Sequence, residues 1–442
     1  MDTSSPLDTG LVAEKAGLSA RRVAFDLLNA VLEKCKPFDE SLQQHPGFDK
    51  LSLADRALAR NLAATTLRRL GQIDALLQGW LTQPLSEASP SARTLLRLGA
   101  VQLLFLRTPA YAAVNTTVTL AESRRSQAPR NLINAVLRRT AQEGAGLIAA
   151  QDELELNTPS WLWLSWSKIY GEATCRDIAR AHLLNPPLHL TPRFQANDLA
   201  KRLDAYCLPT GSLCLASGGR VDALPGFSEG EWWVQDAAAA LPVRLLGNVH
   251  GQRVIDLCAA PGGKTAQLAA RGAEVIAIDI STPRLQRVHD NLTRLRLNAE
   301  LVEADACVWR PAQAADAVLI DAPCTATGTI RRHPDIPWLK AADDVVALGR
   351  QQRKLLESAI AMVKPGGTIV YCVCSLEPQE GPAIVDAAMA SGAPVRPLPL
   401  SPTEMSGISE FITADGALRT LPCQWREHGG LDGFYAVRFL RT

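Results

Sequence analysis

Two cysteines that follow apolar segments are the residues of this sequence best suited to nucleophilic chemistry. The apolar run 318–320 leads into Asp321 and, three residues later, Cys324. A second run, 368–373, leads into Cys374. Short apolar runs predict buried strands, and in open α/β sheets reactive groups collect where strands end. We therefore predict two neighbouring strands that direct one thiol each, together with a carboxylate, into one pocket.

A loop of small residues earlier in the chain predicts a site for a nucleotide-like cofactor. It lies between a predicted strand, 254–257, and a predicted helix, 264–270. Small residues let a ligand approach the backbone, and the start of a helix presents unpaired N–H donors. A phosphate-binding loop would need glycine where Cys258 stands, and the dinucleotide fingerprint Gly-x-Gly-x-x-Gly is absent. The candidate cofactor residues are Cys258, Ala259, Ala260, Pro261, Gly262, Gly263 and Lys264.

Acidic residues at or near the ends of three successive predicted strands favour S-adenosylmethionine as that cofactor. They are Asp256, Asp279 and Asp305. An acid at the end of the second strand is placed to accept both ribose hydroxyls, and the third suits an adenine amino group. Arg284 follows Asp279 in the next predicted helix. It is either a cofactor contact or a residue of the helix surface.

A methyl donor, two thiols and a carboxylate together suit methylation of carbon 5 of a pyrimidine. That carbon is a weak nucleophile, so a thiolate must first add to carbon 6. A carboxylic acid at ring nitrogen 3 would stabilise the developing charge, and a base must afterwards remove the carbon 5 proton. By residue type alone Cys324 and Cys374 have equal claims as nucleophile, and any single cysteine can instead be a small core residue.

The order and spacing of four motifs resemble those of bacterial 16S ribosomal RNA (cytosine-C5) methyltransferases of the RsmB/Sun family. The motifs are 258–264, 321–324, 331–335 and 374–381. The resemblance implies that Cys374 is the nucleophile, that Cys324 assists release of the enzyme, and that 258–264, Asp279, Asp305 and Asp321 contact the cofactor. The family usually has threonine before the nucleophilic cysteine, whereas this chain has Val373.

The first 145 residues predict a basic, all-helical domain. Apolar residues recur at intervals of three and four, and prolines fall between the apolar stripes. The segment carries 18 basic and 13 acidic residues, a net charge of +5, so the rest of the chain carries −4. Charge alone is equally compatible with a solvated helix face. The segments 55–60, 96–100, 112–115 and 134–139, however, resemble the NusB-like RNA-binding domain.

Two groups of basic residues are the candidate RNA contacts. Arg56 and Arg60 share one helix face because they are four residues apart. Arg331, Arg332 and His333 lie in a polar stretch after Cys324, which has the character of a loop that touches phosphates near a reacting base.

The chain is therefore predicted to be a multidomain protein, since a single core stops growing at about 250–300 residues. Residues 1–145 would form the all-α NusB-like domain, 146–232 a small α/β connecting unit, and 233–442 an α/β Rossmann-like methyltransferase domain. The predicted partner is 16S ribosomal RNA, free or in an assembling small subunit. The alternatives are a P-loop RNA-dependent ATPase and a non-catalytic RNA-binding protein on a decayed methyltransferase fold.

Cysteine spacing and hydropathy exclude several other classes. The ten cysteines include no pair of CxxC units, which predicts neither a zinc site nor a disulfide framework and favours a reducing cytoplasm. No stretch approaches about 18 uncharged apolar residues, so no membrane partner is predicted. Nothing in the sequence demands a dimer, and a monomer without a metal is the expectation.

Overall fold

The computed structural model describes residues 6–123, 129–194, 196–215 and 219–442. Their contacts form two compact units. The first comprises the described residues up to Leu183 together with His333–Ala341, and the second comprises those of Leu184–Arg332 and Ala342–Thr442. The predicted domain boundaries at 145 and 232 stay predictions. Among the described helices, none has the length and apolar character that crossing a membrane requires.

The helices of the described residues are, in chain order, α1 (Pro6–Leu32), α2 (Phe38–Gln43), α3 (Leu53–Arg68), α4 (Leu70–Gln78), α5 (Pro90–Leu104), α6 (Ala110–Ser123), α7 (Arg130–Ala149), α8 (Glu153–Leu156), α9 (Ser160–Tyr170), α10 (Glu172–His182), α11 (Ala196–Leu203), α12 (Leu241–Arg244), α13 (Gly263–Ala270), α14 (Thr282–Leu295), α15 (Ile336–Leu339), α16 (Ala342–Met362) and α17 (Pro382–Ala390). Short 3-10 helices occupy Leu85–Glu87, Val221–Ala223, Thr327–Thr329, Pro378–Glu380, Ser409–Phe411 and Arg426–His428.

The strands of the described residues are β1 (Leu188–Pro192), β2 (Tyr206–Cys207), β3 (Leu213–Leu215), β4 (Trp232–Val234), β5 (Arg253–Leu257), β6 (Glu274–Asp279), β7 (Glu300–Glu303), β8 (Ala315–Asp321), β9 (Val363–Val373), β10 (Val395–Pro397), β11 (Leu418–Thr420) and β12 (Phe434–Arg441).

The first unit is helical in its described residues, which confirms the all-α prediction for the amino-terminal part. Side chains cap several of its helices: Ser52 accepts from the Asp55 amide at the start of α3, Ser89 caps α5, which begins at Pro90, and Asp152 caps α8. The apolar stripes pack into one core whose members include Ala24, Leu28, Leu62, Leu98 and Leu137, all fully buried.

The segment His333–Ala341 joins this unit although it begins 150 residues after Leu183, where the rest of the unit ends. Its Asp335 carboxylate accepts a hydrogen bond of 2.8 Å from the Phe38 amide. The Trp338 indole donates to the Leu67 carbonyl oxygen over 2.9 Å. The motif that contains His333 is therefore divided between the two units after Arg332.

The second unit contains two sheets. A small antiparallel sheet has the strand order β2-β3-β1-β4. The larger sheet has the order β10-β12-β9-β8-β5-β6-β7, with β11 paired to β12. Its central strands β9, β8, β5, β6 and β7 are parallel, whereas β10 and β12 run antiparallel. This confirms the small α/β unit and the Rossmann-like fold.

The larger sheet reverses its winding direction between β5 and β8. From β5 the chain adds β6 and β7 on one side, and then crosses to add β8 and β9 on the other. Ligands of open α/β sheets bind at such a switch point, beyond the carboxyl ends of the strands. The third acidic strand is shorter than predicted: β7 ends at Glu303, so Asp305 lies in the loop that follows.

A buried hydrogen bond ties β5 to the helix that follows it. The Thr265 hydroxyl donates to the Asp256 carboxylate over 2.6 Å, and Asp256 is fully buried. Within the described part of the chain, the other oxygen of Asp256 has no hydrogen-bond partner. The pKa of Asp256 is raised to about 7 by burial first and by the negative charge of Asp321 second, against the lowering effect of the Thr265 hydrogen bond.

We predict that Asp256 makes the protein less stable as the pH rises from about 4 to about 7. In the unfolded chain its pKa is about 3.9, so folding takes up a proton in this window. The stabilisation is fully present below the unfolded pKa and is lost as the pH rises through the folded pKa. Asp256→Asn should flatten this part of the curve when urea-unfolding midpoints are measured between pH 4 and pH 8.

A carboxylate at the opposite end of the sheet provides the control. Asp316 pairs with Lys364, and that hydrogen bond lowers the pKa of Asp316, so Asp316→Asn should leave the slope above pH 4 unchanged. Identical slopes for Asp256→Asn and the unmodified protein would show that Asp256 is not protonated in the folded state.

Candidate active site

A cavity of about 340 Å³ lies at the switch point of the larger sheet. Three predicted acids, Asp279, Asp305 and Asp321, line it together with both predicted thiols, Cys324 and Cys374. The structure thus brings these five residues, separated by up to 95 positions in the sequence, to one cavity. Its other lining residues are Cys258, Ala260, Pro261, Ile278, Ile280, Arg284, Ala304, Ala306, Ala322, Pro323, Ala326, Gln351 and Leu355.

The small-residue loop forms one wall of the cavity through Cys258, Ala260 and Pro261. Gly262 caps α13 with a φ of +98°, a conformation that side chains strongly disfavour. A Cβ atom there would also lie 2.9 Å from Val288 Cγ1, so the turn requires glycine. Of the predicted loop residues, Ala259, Gly262, Gly263 and Lys264 support this wall and are not among its lining residues.

Asp279 is fixed by the loop that it faces. Its carboxylate accepts hydrogen bonds from the amides of Ala260 (3.2 Å) and Ser281 (3.1 Å), and its side chain is only 1% exposed. The half-exposed Arg284 donates to the Ala260 carbonyl oxygen over 2.8 Å and lies 3.6 Å from Asp279. Arg284 therefore lines the cavity and also holds the loop. Asp305 is exposed and accepts from the Cys307 amide over 2.9 Å.

Asp321, which lines the cavity, forms an ion pair with a buried lysine. Lys264 Nζ lies 2.7 Å from Asp321 Oδ2, and the Lys264 side chain is 7% exposed. Burial alone would lower the pKa of Lys264, but the adjacent Asp321 carboxylate outweighs it and raises the pKa above its usual value. The ammonium thus stays charged beside Asp321, and Asp321 but not Lys264 lines the cavity.

The two thiols are direct neighbours. Cys324 Sγ and Cys374 Sγ are 3.5 Å apart, a hydrogen-bonding distance for sulfur. That hydrogen bond and burial raise the pKa of the Cys324 thiol well above its usual value. Either sulfur can be the donor in this hydrogen bond. Cys372 is fully buried and donates instead to the Ile320 carbonyl oxygen over 3.3 Å.

A buried carboxylate that sequence reasoning did not single out links the two cysteine loops. Glu380 accepts from the Thr325 amide (2.9 Å) and from the Thr325 hydroxyl (2.5 Å) on one loop. It accepts from the Ser375 hydroxyl (2.6 Å) on the other loop, and from Gln352 (3.1 Å) on α16. Burial raises the pKa of Glu380, whereas these hydrogen bonds lower it. The only signal in the sequence was its position within the motif that follows Cys374.

Three of the predicted RNA contacts, which lie in the stretch after Cys324, occupy different environments. Arg331 is buried, with 2% of its side chain exposed, and pairs with Asp236 (2.9 Å) and Asp432 (2.8 Å). Arg332 pairs with the same two carboxylates. Such pairs hold loops together inside the protein, which argues against a direct RNA contact by Arg331. His333 belongs to the first unit.

The two predicted contacts in the first unit, the exposed Arg60 and the partly buried Arg56, are both paired. Arg60 lies 3.3 Å from Asp39, which also lies 3.1 Å from His333. Arg56 lies 3.7 Å from Asp49. As for metals, within the described ranges no cluster of three or more His, Cys, Asp or Glu side chains could hold an ion.

The sequence matches two known families. Residues 18–142 match the NusB family, and residues 243–440 match the family described as 16S rRNA methyltransferase RsmB/F. The ribosomal RNA small subunit methyltransferase B of Pseudomonas putida is 36% identical over 443 residues, which cover 96% of this chain and 99% of that protein.

Solved structures share the fold. The crystal structure of PH0851 superposes with a TM-score of 0.75 at 22% identity, covering 99% of this chain and 100% of that one. A methyltransferase homolog protein from Pyrococcus horikoshii superposes with a TM-score of 0.53 at 26% identity, covering 66% of this chain and 96% of that one. The chain therefore belongs to the 16S rRNA methyltransferase RsmB/F family and is an S-adenosylmethionine-dependent rRNA methyltransferase.

Proposed function

We propose that this protein methylates carbon 5 of a cytosine in 16S ribosomal RNA through a covalent bond between Cys374 and carbon 6. The observation that carries the proposal is the pair of thiols 3.5 Å apart, in one cavity with Asp321. Methylation of a nitrogen or an oxygen needs no thiol, because those atoms are themselves nucleophiles. Carbon 5 is not a good nucleophile, so a thiolate that adds to carbon 6 must first supply electron density to carbon 5.

The side chains that line the cavity suit S-adenosylmethionine in their hydrogen-bonding chemistry. Asp279, held by two backbone amides, has lone pairs left for the two ribose hydroxyls. Asp305 suits the adenine amino group, and the small residues of the loop 258–264 leave room for the remaining part of the cofactor. The bound cofactor supplies an electrophilic methyl group.

The family resemblance of the motif 374–381 favours Cys374 as the nucleophile. The raised pKa of Cys324 keeps that thiol protonated, which disfavours Cys324 as the attacking thiolate. As the Cys374 sulfur adds at carbon 6, ring nitrogen 3 of the cytosine takes up the proton that the thiol gives up. Asp321 would then accept a hydrogen bond from the protonated nitrogen, and Lys264 offsets the charge of the carboxylate. After methyl transfer a base removes the carbon 5 proton, and the bond from sulfur to carbon 6 breaks. We assign Cys324 to this release step because its sulfur lies beside the one that must leave.

Glu380 acts in this proposal as a positioning residue. Its carboxylate accepts hydrogen bonds from the hydroxyl groups of Thr325 and Ser375, which directly follow the two cysteines. In addition, the Gly328 amide donates to the Cys374 carbonyl oxygen over 3.0 Å. The sulfur–sulfur distance is therefore set by bonds between the loops, and a displacement of about 1 Å can cost about a hundredfold in rate.

Replacing the nucleophile should remove activity. For Cys374→Ser we predict a loss of methyl transfer of at least about 1,000-fold, because a serine hydroxyl is a far weaker nucleophile than a thiolate. Transfer of tritium from labelled S-adenosylmethionine to a 16S transcript measures it. The exposed Cys207 provides the control, since Cys207→Ser should leave the rate unchanged. Undiminished transfer by Cys374→Ser would exclude this residue as the nucleophile.

Replacing the release residue should trap the intermediate. We predict that Cys324→Ser accumulates a protein–RNA adduct that survives a denaturing gel, because Cys374 still attacks but is not expelled. The double variant Cys324→Ser/Cys374→Ser should show no adduct. An active Cys324→Ser protein that forms no adduct would reject the release assignment.

Weakening the link between the loops should slow the reaction without weakening cofactor binding. Glu380→Gln replaces one carboxylate oxygen, which accepts hydrogen bonds, by an amide nitrogen, which donates them. This nitrogen would face the hydroxyl group of Thr325 or Ser375. We predict that kcat falls by about tenfold or more, with an unchanged Kd for S-adenosylmethionine by calorimetry. The pH dependence of the rate at which an alkylating reagent modifies Cys374 should change as well. The exposed Glu427 serves as control in Glu427→Gln, and equal kcat values for both variants would contradict the positioning role.

A further inference from the structure

A groove of about 830 Å³ runs between α6 and α7 of the first unit. Val114, which is partly buried, and Val118, which is buried, line the groove, and two alanines line it as well. The remaining lining side chains are Tyr111, Asn115, Arg130, Asn131, Asn134, Arg138 and Gln142. They combine one aromatic ring, four carboxamides and two guanidinium groups. Among the described residues, no Asp or Glu lines the groove.

The aromatic ring is unusually accessible. Tyr111 is 78% exposed, although large aromatic side chains usually lie at least partly inside the protein. It stands near the start of α6, and the amide of Asn115 follows one helical turn later. An exposed ring beside carboxamides is the combination that binds unpaired bases: the ring stacks on the base, and amides hydrogen-bond to its edges.

The arginines of the groove also differ from Arg56 and Arg60 in how far neighbouring carboxylates offset their positive charge. Arg56 and Arg60 each have a carboxylate partner, which offsets their positive charge. Arg138 instead lies beside the neutral Asn134, with Nε 3.3 Å from its oxygen. Arg130 pairs with Glu122, but this pair is solvent-exposed, and such pairs are weak. Positive charge is thus available to phosphates along the α7 wall.

We propose that this groove binds an unpaired segment of the substrate RNA, with a base stacked on Tyr111, amides of α6 and α7 at base edges, and Arg138 at a phosphate. The inference rests on the proposed function only in taking RNA as the substrate. It moves the RNA contact of the first unit from the predicted Arg56 and Arg60 to a face that can recognise bases as well as phosphates.

Binding of the full chain to a fluorescein-labelled single-stranded fragment of 16S RNA tests the groove by anisotropy, without any methyl transfer. Tyr111→Ala should raise Kd by about fivefold or more, because stacking of one base on an aromatic ring contributes about 1–3 kcal/mol. Tyr111→Phe keeps the ring and should bind within about twofold of the unmodified protein. Arg138→Ala should weaken binding and reduce the slope of log K against log salt by about one.

Arg139 supplies the matched control because it is adjacent, exposed and outside the groove, where it pairs with Glu143. Arg139→Ala should change neither Kd nor the salt slope appreciably. Equal affinities for Tyr111→Ala, Arg138→Ala and Arg139→Ala would overturn the proposal. Displacement of the RNA by poly-glutamate at equal charge would also overturn it, in favour of an acidic protein partner. Because the assay reads binding alone, its failure is distinct from a failure to find carbon 5 methylation.

Discussion

The parallel pairing of β8 with β9 is the constraint on which the proposed chemistry depends. Asp321 stands opposite Cys372 in this register, so both chains leave the sheet at the same edge. Cys324 and Cys374 then follow within three residues of those positions. Because side chains alternate between the faces of a sheet, a slip of one residue would turn Asp321 away from the cavity. The fully buried core strands 318–320 and 369–373 prevent such a slip by hydrophobic packing.

Low polarity around this edge makes the placement of each proton important. Lys264, Asp256 and Glu380 are buried and Cys324 is partly buried. Burial shifts a group towards its neutral form unless a partner compensates. Lys264 has Asp321 as that partner and stays charged. Asp256 has only a hydroxyl, and its pKa rises to about 7. The site thus holds one ion pair beside two thiols, of which Cys324 has a pKa raised by the hydrogen bond to Cys374 and by burial.

Local patterns in the sequence were sufficient for the parts of the fold that are local. The apolar runs, the glycine loop and the strand-end acids predicted β5, β6, β8, β9 and the cavity they share, because short-range sequence determines strands and tight turns. The helical prediction for the amino-terminal part held for the same reason. Family membership also leaves no place for the P-loop ATPase alternative, which Cys258 already disfavoured.

Contacts between distant residues were not predictable from those patterns. Nothing near Glu380 in the sequence indicates that its carboxylate reaches Thr325, 55 positions away. Arg331 and Arg332 have the composition of an exposed basic loop, yet Asp236 and Asp432, about 100 residues away on either side, draw them into the protein. Similarly, hydrogen bonds with Phe38 and Leu67 attach the segment His333–Ala341 to the helical unit. No local periodicity in the sequence predicts these contacts.

The central claim is that the paired thiols serve attack on a cytosine ring at carbon 5. The most direct test is to incubate the purified protein with methyl-tritiated S-adenosylmethionine and a 16S transcript, digest the RNA to nucleosides and separate them by chromatography. The account predicts that the label elutes with 5-methylcytidine. Label in N4-methylcytidine or in a ribose-methylated nucleoside would contradict it, because those atoms react without addition of a cysteine to the ring.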